Sequence, residues 1–331
     1  MEFEKEKAYL HTFLETIKGK GKTIFKRVSL SPLRYAGGKT NAVGLILDHL
    51  PALKEKKIVS PFFGGGSFEL AAASLGFEVV GYDCFGVLVN FWQQALEHPA
   101  DLANELARLV PDKEHFTRYR HILLHYWETI KPAELEYTTR NRLELTDMEK
   151  TMLSESPLLQ AAYYYYNMQL SYGPMFLGWQ SSVYLKQDKY SKIVERIRKF
   201  APGNVSVNLA SFEESIANHP DDFLFLDPPY YLGTDSKMFK GIYPNSNFAI
   251  HHDAFDHKKL CELLKAHQGG FFLTYNDCPT IREWYSEFKQ EYPKWQYTYG
   301  QGETRIGKNR DETGDNVKES HELFVICPPR D

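Results

Sequence analysis

An acid, two prolines and an aromatic ring follow one another directly after a short apolar run. The four residues are Asp227, Pro228, Pro229 and Tyr230, and the apolar run covers residues 223–226. An apolar run bounded by a turn signal predicts a buried strand, and open α/β sheets bind ligands just beyond the carboxyl ends of their strands. A strand that merely ends in a proline turn is the alternative that this motif alone leaves open.

The chemistry that this motif could do follows from its groups. Prolines fix φ and carry no N–H, so the Asp227 carboxylate and the proline carbonyls form a stiff cluster of hydrogen-bond acceptors. Such a cluster suits an amino group that must be held and made more nucleophilic. The Tyr230 ring offers a flat face on which a base can stack.

Residues 31–40 form a second candidate ligand-binding segment, which ends in Gly-Gly-Lys-Thr. The Walker A pattern G-x-x-x-x-G-K-[ST] fails because its first glycine position holds Leu33, which argues against an ATPase. Gly37 and Gly38 still allow close approach of a ligand to the backbone. An apolar segment over 43–50 predicts the helix that follows.

A strand, a glycine-rich turn and a helix are predicted next, over 57–63, 64–67 and 68–75. The Rossmann pattern G-x-G-x-x-G is not met, since its third glycine position holds Glu69. A second strand ends in Asp83, where a carboxylate can accept hydrogen bonds from ribose hydroxyls. These features predict a nucleoside-type cofactor rather than a dinucleotide.

Composition and charge are those of an ordinary globular protein. A chain of 331 residues can hold one large α/β domain with an insertion, or two domains. Its net charge of −4 argues against a large, uniformly basic surface but is compatible with a local basic cleft. Four scattered cysteines without a C-x-x-C pair predict neither a zinc site nor disulfides, which fits a reducing cytoplasm.

Two classes of partner are not expected from the sequence. No apolar run approaches the length of a membrane span, so no membrane partner is predicted. Histidines 251, 252 and 257 lie near Asp253 at the start of a predicted helix, but without acids or cysteines at ligand spacing. We therefore predict no metal.

The strand pattern lapses between about residues 95 and 200, where helical patterns take over. Helices are predicted over 112–130, 133–155 and 161–170, and a basic helix over 186–199 is a candidate phosphate track. The four tyrosines at 163–166 are expected in the core. Strands resume over 205–209, 223–226 and 270–277, and a terminal pair is predicted over 295–299 and 322–327.

Together these motifs resemble the Dam-like family of N6-adenine-specific DNA methyltransferases. The resemblance is carried, in chain order, by P-x-x-Y-A-G-G-K at 32–39, F-x-G-G-G-S at 62–67, Asp83, the Asp-Pro-Pro-Tyr motif and residues 271–277. It implies an α/β fold with a Rossmann-like, mixed seven-stranded sheet and helices on both faces. It also implies a cofactor-binding and catalytic domain over 31–95 and 201–331, an inserted helical target-recognition subdomain over 96–200, and an amino-terminal extension over 1–30.

The resemblance implies S-adenosylmethionine as cofactor and assigns residues to it. The implied cofactor contacts are Tyr35, Ala36, Gly37, Gly38, Lys39, Phe62, Gly64, Gly65, Gly66, Ser67, Asp83, Ser211, Phe212 and Asp227. The implied catalytic residues are Asp227, Pro228, Pro229 and Tyr230. The family often has an Asp-Phe pair where this chain has Ser211-Phe212, and we expect the Phe212 ring to pack on the cofactor's adenine.

The implied reaction is methyl transfer to N6 of an adenine that is flipped out of double-stranded DNA. Candidate DNA contacts are Lys186, Lys189, Arg305, Lys308 and Arg310. The segment around Gly173 has no arginine of the kind common in the family's insert, so no base-reading residue is predicted there. A monomer is expected, and a role beside a separate, cognate restriction endonuclease stays open.

Other functions remain as alternatives at this point. A similar tetrapeptide, often with Ser or Asn in place of the acid, serves enzymes that methylate N4 of cytosine or amino groups in other macromolecules such as RNA. Asp227 favours adenine among these. A module that binds nucleic acid without catalysis is a further alternative, which the complete Asp-Pro-Pro-Tyr motif disfavours.

Overall fold

The fold is described from a computed structural model of the chain. It describes residues 10–19, 24–130, 142–173, 175–233, 255–293 and 322–330. Within these residues the central element is one seven-stranded sheet with the order β3-β2-β1-β4-β5-β7-β6. The strands are β1 (Lys57–Ser60), β2 (Glu78–Asp83), β3 (Val205–Leu209), β4 (Leu224–Leu226), β5 (Phe271–Asn276), β6 (Lys289–Glu291) and β7 (Glu322–Cys327).

The sheet is mixed, as predicted. Strands β1 to β5 pair in parallel, whereas β7 runs antiparallel to both of its neighbours, β5 and β6. From β1 the chain first adds β2 and β3 on one side and then β4 and β5 on the other, so the strand order reverses between β1 and β4. Such a reversal places a crevice at the carboxyl ends of these two strands. The predicted α/β architecture, a mixed seven-stranded sheet with helices packed against it, is confirmed.

Within the described residues, eleven helices with defined bounds surround the sheet. They are α1 (Val43–His49), α2 (Ser67–Ser74), α3 (Gly86–Glu97), α4 (Pro99–Arg108), α5 (Lys113–Ile130), α6 (Asp147–Glu155), α7 (Pro157–Leu170), α8 (Gln187–Arg198), α9 (Phe212–Asn218), α10 (His257–Ala266) and α11 (Pro279–Trp284).

Alternation along β1 shows that both faces of the sheet are covered. Successive strand residues point to opposite faces. Ile58 belongs to the large apolar core that includes α1 to α5, α7 and α8, whereas Val59 belongs to a second core with α9, α10 and α11. Both side chains are fully buried. The sheet is therefore sandwiched between helices, which fixes the positions of its strand ends.

Among the described helices between β2 and β3, α3, α4, α5 and α6 pack around α7, which is buried over nearly its whole length, and α8 packs on α4. Tyr163, Tyr164, Tyr165 and Tyr166 are at most 5 % exposed, so the tyrosine run belongs to the core, as expected. The Tyr165 hydroxyl donates to the Pro32 carbonyl over 3.1 Å. This bond ties the helical block to the segment that precedes Lys39.

Two elements differ from the sequence predictions by more than a shift of a few residues at their ends. A helix was predicted over 133–155, but α6 begins only at Asp147, because Thr146 and Glu149 form a reciprocal capping box that stops the helix there; residues 131–141 lie outside the described residues. The sixth strand is Lys289–Glu291, a three-residue polar edge segment without an apolar signal. The predicted strand over 295–299 lies outside the described residues.

The described part of the amino-terminal segment packs on the main core. Residues 10–16 are helical. Leu14 is 8 % exposed, and Leu10, Phe13 and Ile17 are partly buried against the same cluster. These apolar side chains anchor the described part of the amino-terminal segment on the main core.

Candidate active site

Three neighbouring strands place the sequence motifs around one cleft. Asp83 is the last residue of β2, the glycine-rich turn follows β1, and Asp227 follows β4. Because β2, β1 and β4 are adjacent and parallel, their carboxyl ends meet at one edge of the sheet. The cleft there is lined by Tyr35, Ala36, Gly37, Gly38, Lys39, Phe62, Phe63, Gly64, Gly65, Gly66, Ser67, Phe68, Glu69, Asp83, Cys84, Phe85, Phe225, Asp227, Pro228, Pro229 and Tyr230.

The acid of the Asp-Pro-Pro-Tyr motif is held by a buried lysine. Lys39 Nζ lies 2.6 Å from Oδ1 and 2.8 Å from Oδ2 of Asp227, and 3.4 Å from the Gly37 carbonyl. The Thr274 hydroxyl donates to Asp227 Oδ1 over 2.7 Å. Lys39 is only 4 % exposed. The carboxylate is thus fixed in one orientation by groups from β5 and from the segment before α1.

The rest of the motif is anchored by residues that the sequence analysis did not single out. The Tyr230 hydroxyl donates to Glu322 Oε2 over 2.6 Å. Asn276 accepts from the Tyr231 N–H over 2.8 Å and donates to the Tyr231 carbonyl over 2.7 Å. Asn276 ends β5, which pairs with β4, and Glu322 begins β7, which runs antiparallel to β5, so both residues lie at the same edge of the sheet as the motif.

The glycine-rich turn packs tightly between the two sides of the cleft. Its Gly64 N–H donates to Asp83 Oδ2 over 3.0 Å, and Trp92 Nε1–H donates to the Gly64 carbonyl over 2.9 Å. A Cβ on Gly65 would lie 2.6 Å from Cβ of Tyr35, and Gly66 adopts a φ of +63°. Side chains are therefore excluded from the turn, and the backbone itself forms the wall of the cleft.

Ser211 and Phe212 are not among the residues that line the cleft. The Ser211 hydroxyl accepts from the Glu214 N–H as the N-cap of α9, so its side chain is committed to the helix. The Phe212 ring stacks on Phe62, with 5.7 Å between centroids, and also contacts Phe255. Phe62 lines the cleft, so Phe212 packs against a residue of the cleft wall. The contact of Phe212 with the cofactor's adenine stays a prediction.

The predicted DNA contacts fall into two groups. Lys186 is exposed at the start of α8, and Lys189 Nζ donates to the Val183 carbonyl over 2.9 Å. Arg305, Lys308 and Arg310 lie outside the described residues. The basic helix α8 also serves the fold, because Arg196 donates to the Ser29 and Ser31 carbonyls.

Comparison with known families decides the identity of this fold and cleft. The family model of D12 class N6 adenine-specific DNA methyltransferases matches residues 35–299, well over half of the chain. This chain belongs to that family. No curated protein matches the chain.

The residues of this D12-class cleft fit the cofactor that a methyltransferase implies. The Asp83 carboxylate is fixed by the N–H groups of Gly64 and Phe85, which suits acceptance from a ribose diol. The glycine turn permits close backbone approach, and the acids Asp227 and Glu69 suit a cationic ligand. S-adenosylmethionine combines a ribose, an adenine and positively charged groups.

Neither a metal cluster nor a membrane span is found in the described part of this methyltransferase. No three His, Cys, Asp or Glu side chains of those residues come together as a metal ion requires. Among the same residues no helix has the length and apolarity needed to cross a membrane. His257, one of the histidines considered in sequence, hydrogen-bonds to the Tyr275 hydroxyl.

Glu69 is an acid buried in the cleft of the D12-class domain. It is 3 % exposed, and the Ser60 hydroxyl donates to its Oε1 over 2.8 Å. Burial raises the pKa of Glu69 to about 8, with a smaller contribution from the Asp227 charge, against the lowering effects of Ser60 and Lys39. In the sequence, Glu69 is notable only because it occupies the third glycine position of the Rossmann pattern.

The raised pKa of Glu69 predicts a pH-dependent cost to folding. Below about pH 4.5 the carboxyl is protonated in both the folded and the unfolded chain, so the cost is zero. As the pH rises towards 8 only the unfolded chain ionises, and stability falls by up to about 1.4 kcal/mol per pH unit from this group. We expect Glu69→Gln to gain stability over the wild type between pH 5 and pH 8, measured by urea unfolding of the ligand-free protein.

The matched control for this prediction is Glu55→Gln, which changes an exposed acid in the segment before β1. Because Glu55 is exposed, its replacement should change the free energy of unfolding by less than about 0.5 kcal/mol. If the gain in unfolding free energy from Glu69→Gln does not change between pH 5 and pH 8, Glu69 is ionised in the folded protein at neutral pH, contrary to the burial argument.

Proposed function

We propose that this chain transfers the methyl group of S-adenosylmethionine to N6 of an adenine in double-stranded DNA, at a specific sequence. One observation carries the proposal. The acceptor cluster of the Asp-Pro-Pro-Tyr motif opens into the same cleft as the glycine turn and Asp83. A target amino group and a nucleoside cofactor would therefore meet there. The family match supports adenine as the base.

Asp227 is proposed to hold the target amino group. A carboxylate offers about four lone-pair sites. Oδ1 accepts from Lys39 and Thr274, whereas Oδ2 accepts only from Lys39 among the described residues. Oδ2 therefore retains the capacity to accept an N–H of the base, and the Pro228 carbonyl supplies the second acceptor.

The chemical task of these acceptors is to direct the lone pair of N6. In free adenine this lone pair is delocalised into the ring, which makes the amino group a poor nucleophile. Two acceptors that bind both N–H groups favour a pyramidal nitrogen whose lone pair points away from them. S-adenosylmethionine supplies an electrophilic methyl group when bound. Catalysis by the protein is then mainly positioning and electrostatics.

Tyr230 is proposed to support the flipped base. Extrusion of a base from the duplex costs a few kcal/mol, on the order of 2–4 kcal/mol. Tyr230 lines the cleft, and stacking of a base on an aromatic ring returns about 1–3 kcal/mol. The bond from its hydroxyl to Glu322 holds the ring in place.

The roles of the remaining parts are proposed on the same basis. The helical block over 96–200 would read the target sequence, with Lys186 and Lys189 near the phosphate backbone. Residues 31–95 and 201–331 would form the catalytic domain, and residues 1–30 an extension docked on it. We propose that the enzyme acts as a monomer. It could serve as the modification enzyme of a restriction-modification system whose endonuclease is a separate protein.

Transfer of a labelled methyl group tests the proposed substrate. Purified enzyme with labelled S-adenosylmethionine is incubated with unmethylated duplex DNA, single-stranded DNA or RNA. The proposal predicts incorporation into duplex DNA well above the other two. Label in RNA alone, or cofactor and DNA binding without any transfer, would overturn it.

A further inference from the structure

Glu69 occupies a place in the molecule where an acid requires an explanation. It lies in α2, of which residues 67–73 are all buried, between the sheet and the cleft. An apolar side chain there would extend the core, whereas a buried carboxylate carries a large desolvation cost. The side chain nevertheless lines the cleft together with Lys39 and Asp227.

Lys39, the cation that interacts with Glu69, is bonded to another acid. Lys39 and Asp227 interact with Glu69 electrostatically, and the Ser60 hydroxyl and the backbone N–H of Glu69 donate hydrogen bonds to it. The hydrogen bonds of Lys39 Nζ go to both oxygens of Asp227 and to the Gly37 carbonyl, and Nζ also lies over the Tyr230 ring. Within the described residues no lysine, arginine or histidine forms an ion pair with Glu69.

The cleft therefore contains Glu69, an acid without an ion-pair partner among the described residues, beside Asp227, which pairs with Lys39. With its pKa raised to about 8, Glu69 is mainly protonated at neutral pH while the cleft holds no ligand. A cationic group that donates hydrogen bonds would favour the ionised form. An ammonium carries three N–H donors, whereas a sulfonium carries none, so the ammonium is the better match.

We propose that Glu69 receives the α-ammonium group of the cofactor and loses its proton to solvent when that group binds. The inference rests on the proposed use of S-adenosylmethionine. In this step the O–H bond of the carboxyl breaks, the proton goes to the buffer, and the carboxylate forms an ion pair with the ammonium. No oxidant or further reactant is required. Glu69 thereby couples cofactor affinity to pH.

Calorimetry of ligand binding counts the protons that Glu69 releases. The probe is S-adenosylhomocysteine, which has the ammonium but no sulfonium, titrated at pH 7 in two buffers of different ionisation heat. We expect the wild type to release about one proton per ligand, and less as the pH rises above about 8. Glu69→Gln should release none and bind at least about tenfold more weakly.

Two controls separate this role from a purely structural one. The ligand 5′-methylthioadenosine has no amino-acid part, so it should bind wild type and Glu69→Gln equally and release no proton. Ser60→Ala retains the acid and removes only its hydrogen-bond donor, so proton release should persist. Gln keeps the size of Glu69 and can accept the same bond from Ser60, which favours a folded variant.

Each outcome bears on a distinct claim. Binding of S-adenosylhomocysteine to the wild type without proton release would overturn the role of Glu69 and leave the cofactor assignment intact, whether or not Glu69→Gln folds. Unchanged proton release in a folded Glu69→Gln would do the same. Absence of any S-adenosylhomocysteine binding to the folded wild type would overturn the proposed function as well.

Discussion

Asp227→Asn is expected to lower the rate of methyl transfer by at least about 100-fold while binding of S-adenosylhomocysteine is retained. The proposed acceptor for the amino group is Oδ2 of Asp227. In asparagine a donating NH₂ group can occupy that position, so it would oppose the N–H of the base rather than accept from it. The measurement is single-turnover transfer to duplex DNA at saturating cofactor.

Asp222→Asn is the matched control for Asp227→Asn. Asp222 also pairs with a lysine, Lys57, over 2.8 Å, but it lies before β4, at the opposite end of the strand from the cleft. Its replacement should leave the transfer rate within a factor of about two, since it touches no part of the proposed site. Comparable activity of Asp227→Asn and Asp222→Asn would contradict the proposed role of Asp227.

Lys39→Met is expected to destabilise the protein by about 2 kcal/mol and to reduce methyl transfer severely. Removal of one partner of a buried ion pair leaves an uncompensated charge, which costs about 3–5 kcal/mol when burial is complete. The Asp227 side chain is 23 % exposed, so water offsets part of this cost. Methionine retains the length of the lysine stem, so the measured loss reports the charge. Urea unfolding measures the stability.

The control for Lys39→Met is Lys57→Met, in the Lys57–Asp222 pair at the opposite end of β4. In the Lys57–Asp222 pair the two side chains are 27 % and 23 % exposed, and His219 also contacts Asp222 over 2.6 Å. Lys57→Met should therefore cost less than about 1 kcal/mol. Equal destabilisation by both substitutions would show that burial of Lys39 does not govern the strength of its ion pair.

The sequence was informative wherever a local pattern determines the structure. Strand β3 was predicted with its observed bounds, and β2 with its observed end at Asp83, because both are short runs between clear turn signals. The cleft was also predictable in outline, since the glycine-rich turn, Asp83 and the Asp-Pro-Pro-Tyr motif each follow a strand, and the ends of adjacent parallel strands must meet. The edge strand β6 gave no signal, because a polar three-residue segment can pair through its backbone alone.

Interactions between distant segments were beyond the reach of sequence patterns. The bond from Lys39 to Asp227 joins residues 188 positions apart, and neither motif predicts that the other supplies its partner. Glu69 appeared only as a mismatch to a glycine pattern, although its burial beside these two residues gives it a raised pKa. The cap of α9 is by contrast local, since Ser211 and Glu214 lie three residues apart and form its capping box.

Mapping of methylated bases in DNA identifies the base that the enzyme modifies and the sequence around it. The enzyme is expressed in a bacterial host without adenine methylation, and the genomic DNA is analysed by single-molecule sequencing and nucleoside chromatography. We expect N6-methyladenine in one short sequence motif, and none in cells that express Asp227→Asn. N4-methylcytosine in place of N6-methyladenine, or unmodified DNA from cells that contain the folded wild-type enzyme, would contradict the account.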